Sequence, residues 1–330
     1  MITPEEIMGG LWTFPIVLPD NPLKWLNCYV IKAESGGRDL LIDTGFNRPE
    51  CRSALLEGMA ALEMEPGKTD VFLTHFHSDH TGNAGMLQKL GSRVFIGKAD
   101  YALELKQRTL AGKRVLHGRA LCEGMPQDVL RHISAEGTGI RFLPELYKPD
   151  IVGEGTVLRC GGYRLRCLFT PGHTPGHMCL YDAEKKLMML GDHILFDITP
   201  NICAWPEMKD SLGAYISSLK KIREYDAETA LPGHRARGTV SMRQRADELI
   251  EHHNRRLAEA ESLVKAAQGA SAYEIAPLLN WSIRADGWDS FPPNQQWFAF
   301  WETLAHLDHM AALGRISKRP SGDGIVRYYK

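Results

Sequence analysis

The feature that most constrains this chain is the run Thr74-His75-Phe76-His77-Ser78-Asp79-His80-Thr81-Gly82-Asn83. Three imidazoles and a carboxylate fall between His75 and His80, directly after the apolar stretch Val71-Phe72-Leu73. That order predicts a short buried strand over Asp70–Thr74 whose C-terminal loop turns all four side chains towards one point. So many polar heads gathered without a partner are costly to bury. Imidazole and carboxylate donors suit Zn, Fe or Mn. The alternative, an exposed His-rich loop, is weakened by three later segments. Thr170-Pro171-Gly172-His173-Thr174-Pro175-Gly176-His177, Leu190-Gly191-Asp192-His193 and Leu231-Pro232-Gly233-His234 each follow a predicted strand. Each sets a ligand-type residue beside a glycine that permits a tight turn.

The surrounding pattern is mixed α/β. Strands are expected at Trp12–Val17, Asn27–Lys32, Asp39–Asp43, Arg93–Gly97, Thr156–Leu158, Tyr163–Phe169, His177–Tyr181, Leu187–Leu190 and Thr229–Leu231. Helices are expected at Pro49–Met64, Gly82–Leu90 and Asp210–Tyr225. No GxGxxG follows a strand, so the order points to a layered αβ domain and not to a dinucleotide-binding unit. Residues 100–150 break the rhythm and read as a helical insertion, either a lid or substrate wall or additional packing area. After about residue 250 the chain turns helical. Asn254–Gln268 and Asn294–Leu313 read as helices, Ser271-Ala272-Tyr273-Glu274 as a capping box, and Gly314–Ser317 with Gly324–Tyr329 as a hairpin. Three helices and a hairpin resemble a winged helix. The expected division is therefore 1–250, catalytic, with the insertion at about 100–150, and 251–330, winged-helix-like.

Composition narrows the class. Of the 330 residues, 39 Lys and Arg balance 40 Asp and Glu, which excludes a chain-wide nucleic-acid-binding charge. A hydrophobic content of 44% supports a sizeable core and excludes disorder as the main state. No apolar run reaches membrane-spanning length, and no secretory signal is visible at Met1–Glu6. The seven cysteines (28, 51, 122, 160, 167, 179 and 203) include no CxxC pair. They read as reduced thiols of a cytoplasmic protein.

In order, His-x-His-x-Asp-His, Pro-Gly-His-Thr-x-Gly-His, Gly-Asp and a late Pro-Gly-His resemble the metallo-β-lactamase superfamily over roughly residues 7–240, most closely its glyoxalase II-like branch. The resemblance implies an αββα sandwich with a binuclear metal centre at one edge of its two sheets. By it, His75, His77 and His173 match the ligands of a first metal. Asp79, His80 and His234 match those of a second, and Asp192 matches the carboxylate bridging both. Asp43 matches a position supporting the ligand loop from behind, where such a partner orients an imidazole. His177 is expected in a strand or in such a supporting role, and His193 either facing the cleft or packed. His117, His132, His252, His253, His306 and His309 are expected at the surface or in ordinary packing. Trp297, Phe298, Phe300 and Trp301 are expected in a helix core, packed on the main domain or at a dimer contact.

The implied activity is that of a hydrolase with two divalent metals, Zn by default and Fe or Mn open. A metal-bridging hydroxide would attack a carbonyl, and Asp79 and Asp192 would carry the catalytic roles. The substrate expected is a small thioester or related ester, either acyl-CoA or hydroxyacylglutathione-like. No glutathione-binding tail is identifiable, which favours acyl-CoA or a carrier-bound thioester. The winged-helix-like tail also resembles proteins similar to β-lactamase-like protein 2, which implies single-stranded RNA cleavage as the runner-up. The tail's Arg315, Lys318, Arg319, Arg327 and Lys330 form its basic cluster. A lactonase is a third option. A winged-helix DNA-binding sensor is the non-enzyme alternative.

Overall fold

The computed structural model describes residues 2–136, 142–282 and 285–330. Seven strands form one sheet in chain order: β1 Glu5–Met8, β2 Leu11–Val17, β3 Trp25–Ile31, β4 Asp39–Ile42, β5 Thr69–Phe72, β6 Arg93–Gly97 and β7 Asp150–Val152. Five form a second sheet in the order β12-β11-β10-β9-β8, comprising β8 Val157–Cys160, β9 Tyr163–Phe169, β10 Met178–Asp182, β11 Leu187–Gly191 and β12 Thr229–Pro232.

The period-2 alternation of these strands builds the layers. Leu40, Ile42 and Phe72 of the first sheet meet Leu180, Leu187 and Met189 of the second between the two sheets. The residues between them, Leu41 and Val71, face the opposite way, towards α1 Pro49–Ala61 and α3 Ala84–Lys89. Cys179, Met188 and Leu190 likewise face outward from the second sheet, towards α7 Ser211–Ile222. The result is an α/β fold of two packed sheets with helices on both outer faces, as expected.

The insertion folds as α4 Lys98–Gln107, α5 Leu110–Cys122 and α6 Gln127–Glu136; its residues 137–141 lie outside the described set. Its described helices are packed: Leu103 of α4 joins the core under the first sheet, while Leu130 and Ile133 of α6 join the core outside the second.

Beyond the sheets come α8 Met242–Ala266, α9 Ala272–Ile275, α10 Pro293–Ala312, and the hairpin β13 Ser317–Pro320 with β14 Val326–Tyr329. The capping box at Ser271 and Glu274 is present. The hairpin's first strand is Ser317–Pro320, not Gly314–Ser317, and the largest boundary difference is in α8. Helix α8 starts at Met242, not at Asn254, and runs unbroken through residue 250. Ser241 caps it, and Met242, Ala246, Leu249, His253 and Leu257 place one buried residue per turn on a single face, which the charged residues between them hide from a hydrophobicity reading. Trp297, Phe300 and Trp301 of α10 are buried in the same core as Leu212 and Ile216 of α7, so the aromatic helix packs on the main domain; Phe298 is exposed. Among the described residues, no helix is long and apolar enough to cross a membrane. All seven cysteines are free.

Candidate metal centre

Strand direction brings the polar segments together. β4 and β5 pair in parallel, Ile42 against Phe72, and so do β11 and β12, Gly191 against Pro232. β9 and β11 are each antiparallel to β10 and so point the same way as each other. The C-terminal ends of β4, β5, β9, β11 and β12 then deliver Asp43, His75–His80, His173, Asp192 and His234. Two main-chain bonds stitch the two sheets at this edge, Met178 N to Thr74 O at 2.9 Å and Asn27 N to Gly233 O at 2.8 Å, while Gly233 N to Gly191 O at 2.7 Å continues the pairing of β11 and β12 within the second sheet. Two motif glycines are required by the closeness of this stitching. A Cβ on Gly191, whose φ is +49°, would lie 2.8 Å from the His177 ring, and one on Gly233 would lie 2.6 Å from Asp192 Oδ1.

Two ligand sets converge. His75, His77 and His173 form one, and Asp79, His80 and His234 the other, with the donor atoms of each set within 4.8 Å of one another. In the first, His77 Nδ1 lies 3.0 Å from His75 Nε2 and 3.0 Å from His173 Nε2. In the second, His234 Nε2 lies 3.1 Å from His80 Nε2 and 3.3 Å from Asp79 Oδ2. Asp192 sits between the sets. Its Oδ1 is 3.5 Å from His80 Nε2, and its Oδ2 is 3.7 Å from His173 Nε2 and 3.5 Å from His234 Nε2.

The far ring nitrogens are held by fixed partners. His80 Nδ1 is 2.8 Å from Asp43 Oδ2, His173 Nδ1 is 3.0 Å from the Asn201 carbonyl, and His234 Nδ1 is 2.9 Å from the Trp25 carbonyl. Each such acceptor receives a hydrogen bond from Nδ1–H and so favours the tautomer that turns Nε2 inward as a donor to a metal. Buried lone pairs aimed at one another repel unless a cation lies among them. Asp192 Oδ1 is moreover buried with no hydrogen-bond partner among the described residues. This donor set fits divalent metal ions.

The electrostatics separate the sets. Burial, reinforced by the neighbouring His173, lowers the His77 pKa to about 3, and burial likewise lowers His75 and His173. For His80 and His234 burial works in the same direction but is outweighed. Asp43, Asp192 and Asp79 hold His80 well above its usual value, and Asp192 and Asp79 raise His234. Burial would raise Asp79, yet His80 and His234 bring it down to about 2. Asp192 is held well below the carboxylate range because His234 and His80 outweigh its burial.

Of the supporting residues, Asp43 has φ +62°, a left-handed conformation that Asp tolerates better than most residues. That turn lets one oxygen accept from Thr74 N at 2.9 Å and the other from Thr74 Oγ1 at 2.8 Å, while also facing His80. His177 is buried behind Asp192; its Nε2 accepts from Asp192 N at 3.2 Å and its Nδ1 is 2.8 Å from Thr170 Oγ1. His193 belongs to neither set. It is buried against Tyr215, whose hydroxyl donates to the His193 carbonyl at 2.8 Å. His253 and His306 pack against each other between α8 and α10.

Sequence reasoning missed Asp100, at the start of α4. It is fully buried, and its carboxylate accepts from Phe76 N at 2.9 Å, from Thr174 Oγ1 at 2.7 Å and from Gly176 N. It thereby ties the loop carrying His75 and His77 to the loop carrying His173. Burial raises its pKa to about 7 despite these donors. The only local signal was a carboxylate just after a buried strand. Trp205 was also missed. Its indole N–H donates to the His173 carbonyl at 2.8 Å, and its ring packs against Phe76 and His77.

The metallo-beta-lactamase superfamily model matches residues 26–234, which span both sheets and both ligand sets. The chain belongs to the metallo-beta-lactamase superfamily. It is 26% identical over 279 residues to a beta-lactamase-like protein 2 homolog of Caenorhabditis elegans, covering 81% of this chain and 78% of that protein. It is 28% identical over 246 residues to an atrochrysone carboxyl ACP thioesterase of Aspergillus fumigatus, covering 73% of this chain. The chain spans 61% of the length of that fungal relative. Among solved structures, a metallo-beta-lactamase family protein from Thermus thermophilus superposes with a TM-score of 0.83 at 28% identity, covering 98% of this chain and all of that one. The chain is thus a member of a hydrolase superfamily, and its His/Asp clusters form a candidate metal site.

Proposed function

We propose that the substrate is a thioester, an acyl group carried on a thiol such as coenzyme A, glutathione or the tether of a carrier protein. The observation that carries this choice is the similarity to a carrier-protein thioesterase, joined to a ligand set made wholly of His and Asp. A groove of about 1050 Å³ lies next to Arg235, just after His234, and is walled by Phe14, Val17, Trp25 and Asn27, with none of the seven ligand residues in its lining. The glyoxalase II-like expectation is kept at the level of this chemistry.

His75, His77 and His173 would hold one metal, Asp79, His80 and His234 the other, and Asp192 would bridge them. Bound there, two divalent ions, Zn by default with Fe or Mn admitted by the same donors, supply an acidified water and an electrophile for the carbonyl oxygen. In the hydrolysis the acyl carbon gains the water's oxygen, the C–S bond breaks and the departing thiolate takes up a proton. Asp79 offers a carboxylate oxygen as a station for that proton. Asp192 keeps the two sets in register. Phe76 and Trp205 cover one side of His77 and exclude water there.

The runner-up, cleavage of single-stranded RNA, requires cations free to meet phosphate. Arg315 and Lys330 pair with Glu261, Lys318 with Asp308 at 2.6 Å, and Arg327 with Glu274 at 2.9 Å and Asp323 at 3.0 Å. Pairing of these four cations, with Arg319 lying over the Tyr329 ring at 5.9 Å, supports the ester reading over the nucleic-acid one. The test is thiol release by metal-loaded protein from a panel of acyl-CoA and acylglutathione thioesters, with Asp192→Asn as control. Release that the substitution abolishes supports a binuclear thioesterase. Absence of release from protein holding two metals would overturn it and turn attention to lactones and RNA.

A further inference from the structure

We propose that Glu302, on α10 of the C-terminal helices, is a positioning residue for the metal ligand His173 and acts on it through Asn201. The inference rests on the reading of His173 as a ligand. His173 Nδ1 meets the main-chain carbonyl of Asn201 at 3.0 Å. Asn201 lies in the irregular segment between β11 and α7, so no helix or strand sets the direction of that carbonyl. The Asn201 side chain sets it instead, being held at both ends. Its amide nitrogen donates to Glu302 Oε2 at 2.7 Å, and its amide oxygen accepts from the Cys203 thiol at 2.9 Å. The segment is fastened to α10 a second time, by Ala204 N donating to the Trp301 carbonyl at 3.1 Å.

Glu302 is buried, with 8% of its surface exposed, and a buried carboxylate is costly wherever it serves no partner. Its Oε1 lies 3.6 Å from Arg256 Nε, and Arg256 in turn stacks 4.3 Å from the Trp281 ring centre. A charge carried on α8 thus holds the carboxylate, the carboxylate holds the amide, and the amide holds the carbonyl that fixes the His173 tautomer. Such outer partners of metal-binding histidines typically carry 10- to 100-fold in metal affinity. The C-terminal helices therefore form part of the first metal set, although none of their side chains touches the metal position.

The test uses the full chain, stripped of metal and titrated with Co²⁺, with binding read from visible absorption. Glu302→Leu removes the acceptor, Glu302→Gln retains one, and Asn201→Ala cuts the link while retaining the main-chain carbonyl. Glu302→Leu and Asn201→Ala are expected to weaken one of two bound Co²⁺ ions about tenfold, while Glu302→Gln stays within about twofold of native. The midpoint of thermal unfolding of the metal-free Asn201→Ala protein should stay near native, which separates positioning from folding should Glu302→Leu fail to fold. The proposal is overturned if Asn201→Ala binds both ions as the native chain does, or weakens both alike. Native protein that binds no pair of Co²⁺ ions would instead fail the metal-centre reading, and the proposal with it.

Discussion

The two halves of the metal centre are built on different foundations. Asp79, His80 and His234 lean on the sheets themselves: Asp43 ends β4 and backs His80, and the Trp25 carbonyl of β3 backs His234. In the other set His75 also leans on the sheets, its Nδ1 lying 3.0 Å from Thr74 Oγ1, which donates to Asp43, whereas His77 and His173 lean on what has been added around the sheets. Asp100, on the first helix of the insertion, ties their two loops, and the Asn201 carbonyl backing His173 hangs from α10. Their charge differs as well. The first set is imidazole only, and burial drives all three rings towards the neutral form. The second contains a carboxylate and holds protons on His80 and His234 more tightly when no metal competes. The lesson is that the second site is tied mainly to the geometry of paired strands, whereas the first also leans on helices outside the sheets.

The substitution common to both halves should have the largest effect. Asp192→Asn replaces the carboxylate placed between the sets, and hydrolysis should fall by on the order of 10³-fold or more in steady-state assays while circular dichroism stays native. Retained activity would remove the bridge from the comparison altogether.

Asp100→Ala and Asp43→Asn should then split the halves. Removing Asp100 leaves Phe76 N, Gly176 N and Thr174 Oγ1 buried without their acceptor, which should cost roughly 2–4 kcal/mol in urea unfolding and loosen the first set. Asp43→Asn turns an acceptor for His80 Nδ1 into a group that can donate, which favours the wrong tautomer. The second set should lose about 10- to 100-fold in metal affinity, measured by competition with a chelator, and the first set less, through Thr74 and His75. If both variants weakened both metals equally, the two halves would not be separately supported.

Acid sharpens the same contrast in the metal-free protein. The pKa values of His77 and His306 fall to about 3 in the fold because burial disfavours their charged forms, against an ordinary value of 6.5. A group depressed in the folded state contributes stability that is present above the unfolded pKa. That stability is lost as pH falls through the window from 6.5 towards 3. Unfolding free energy should drop by about 1–3 kcal/mol between pH 7 and pH 5, read by denaturant titration at each pH. His80 has the opposite sign: raised in the fold, it stabilises at low pH and loses that contribution as pH rises, so it offsets part of the acid loss.

The smallest effect belongs to the tail. Arg327→Ala breaks exposed pairs with Glu274 and Asp323 and should change stability by less than about 1 kcal/mol, without altering thioester hydrolysis. A large loss of hydrolysis there would mean that the hairpin reaches the substrate.

The sequence by itself determined the layered α/β class and the strand ends that carry His75–His80, His173, Asp192 and His234, because ligand chemistry and tight turns demand particular residue types at short spacing. Asp43 was legible only through the family resemblance, which its Leu-Ile-Asp-Thr-Gly segment matches. The sequence did not announce Asp100, Asn201, Trp205 or Glu302. A carboxylate at a helix start and a carbonyl in a coil look alike in any chain, and what makes these four matter is burial against loops distant in sequence. Nor did it place the start of α8, where charged residues mask a buried stripe that exists only once α7 and α10 are present to cover it. Donor identity is local chemistry and is written in the residues. Donor orientation is long-range packing, and only the tertiary structure decides it.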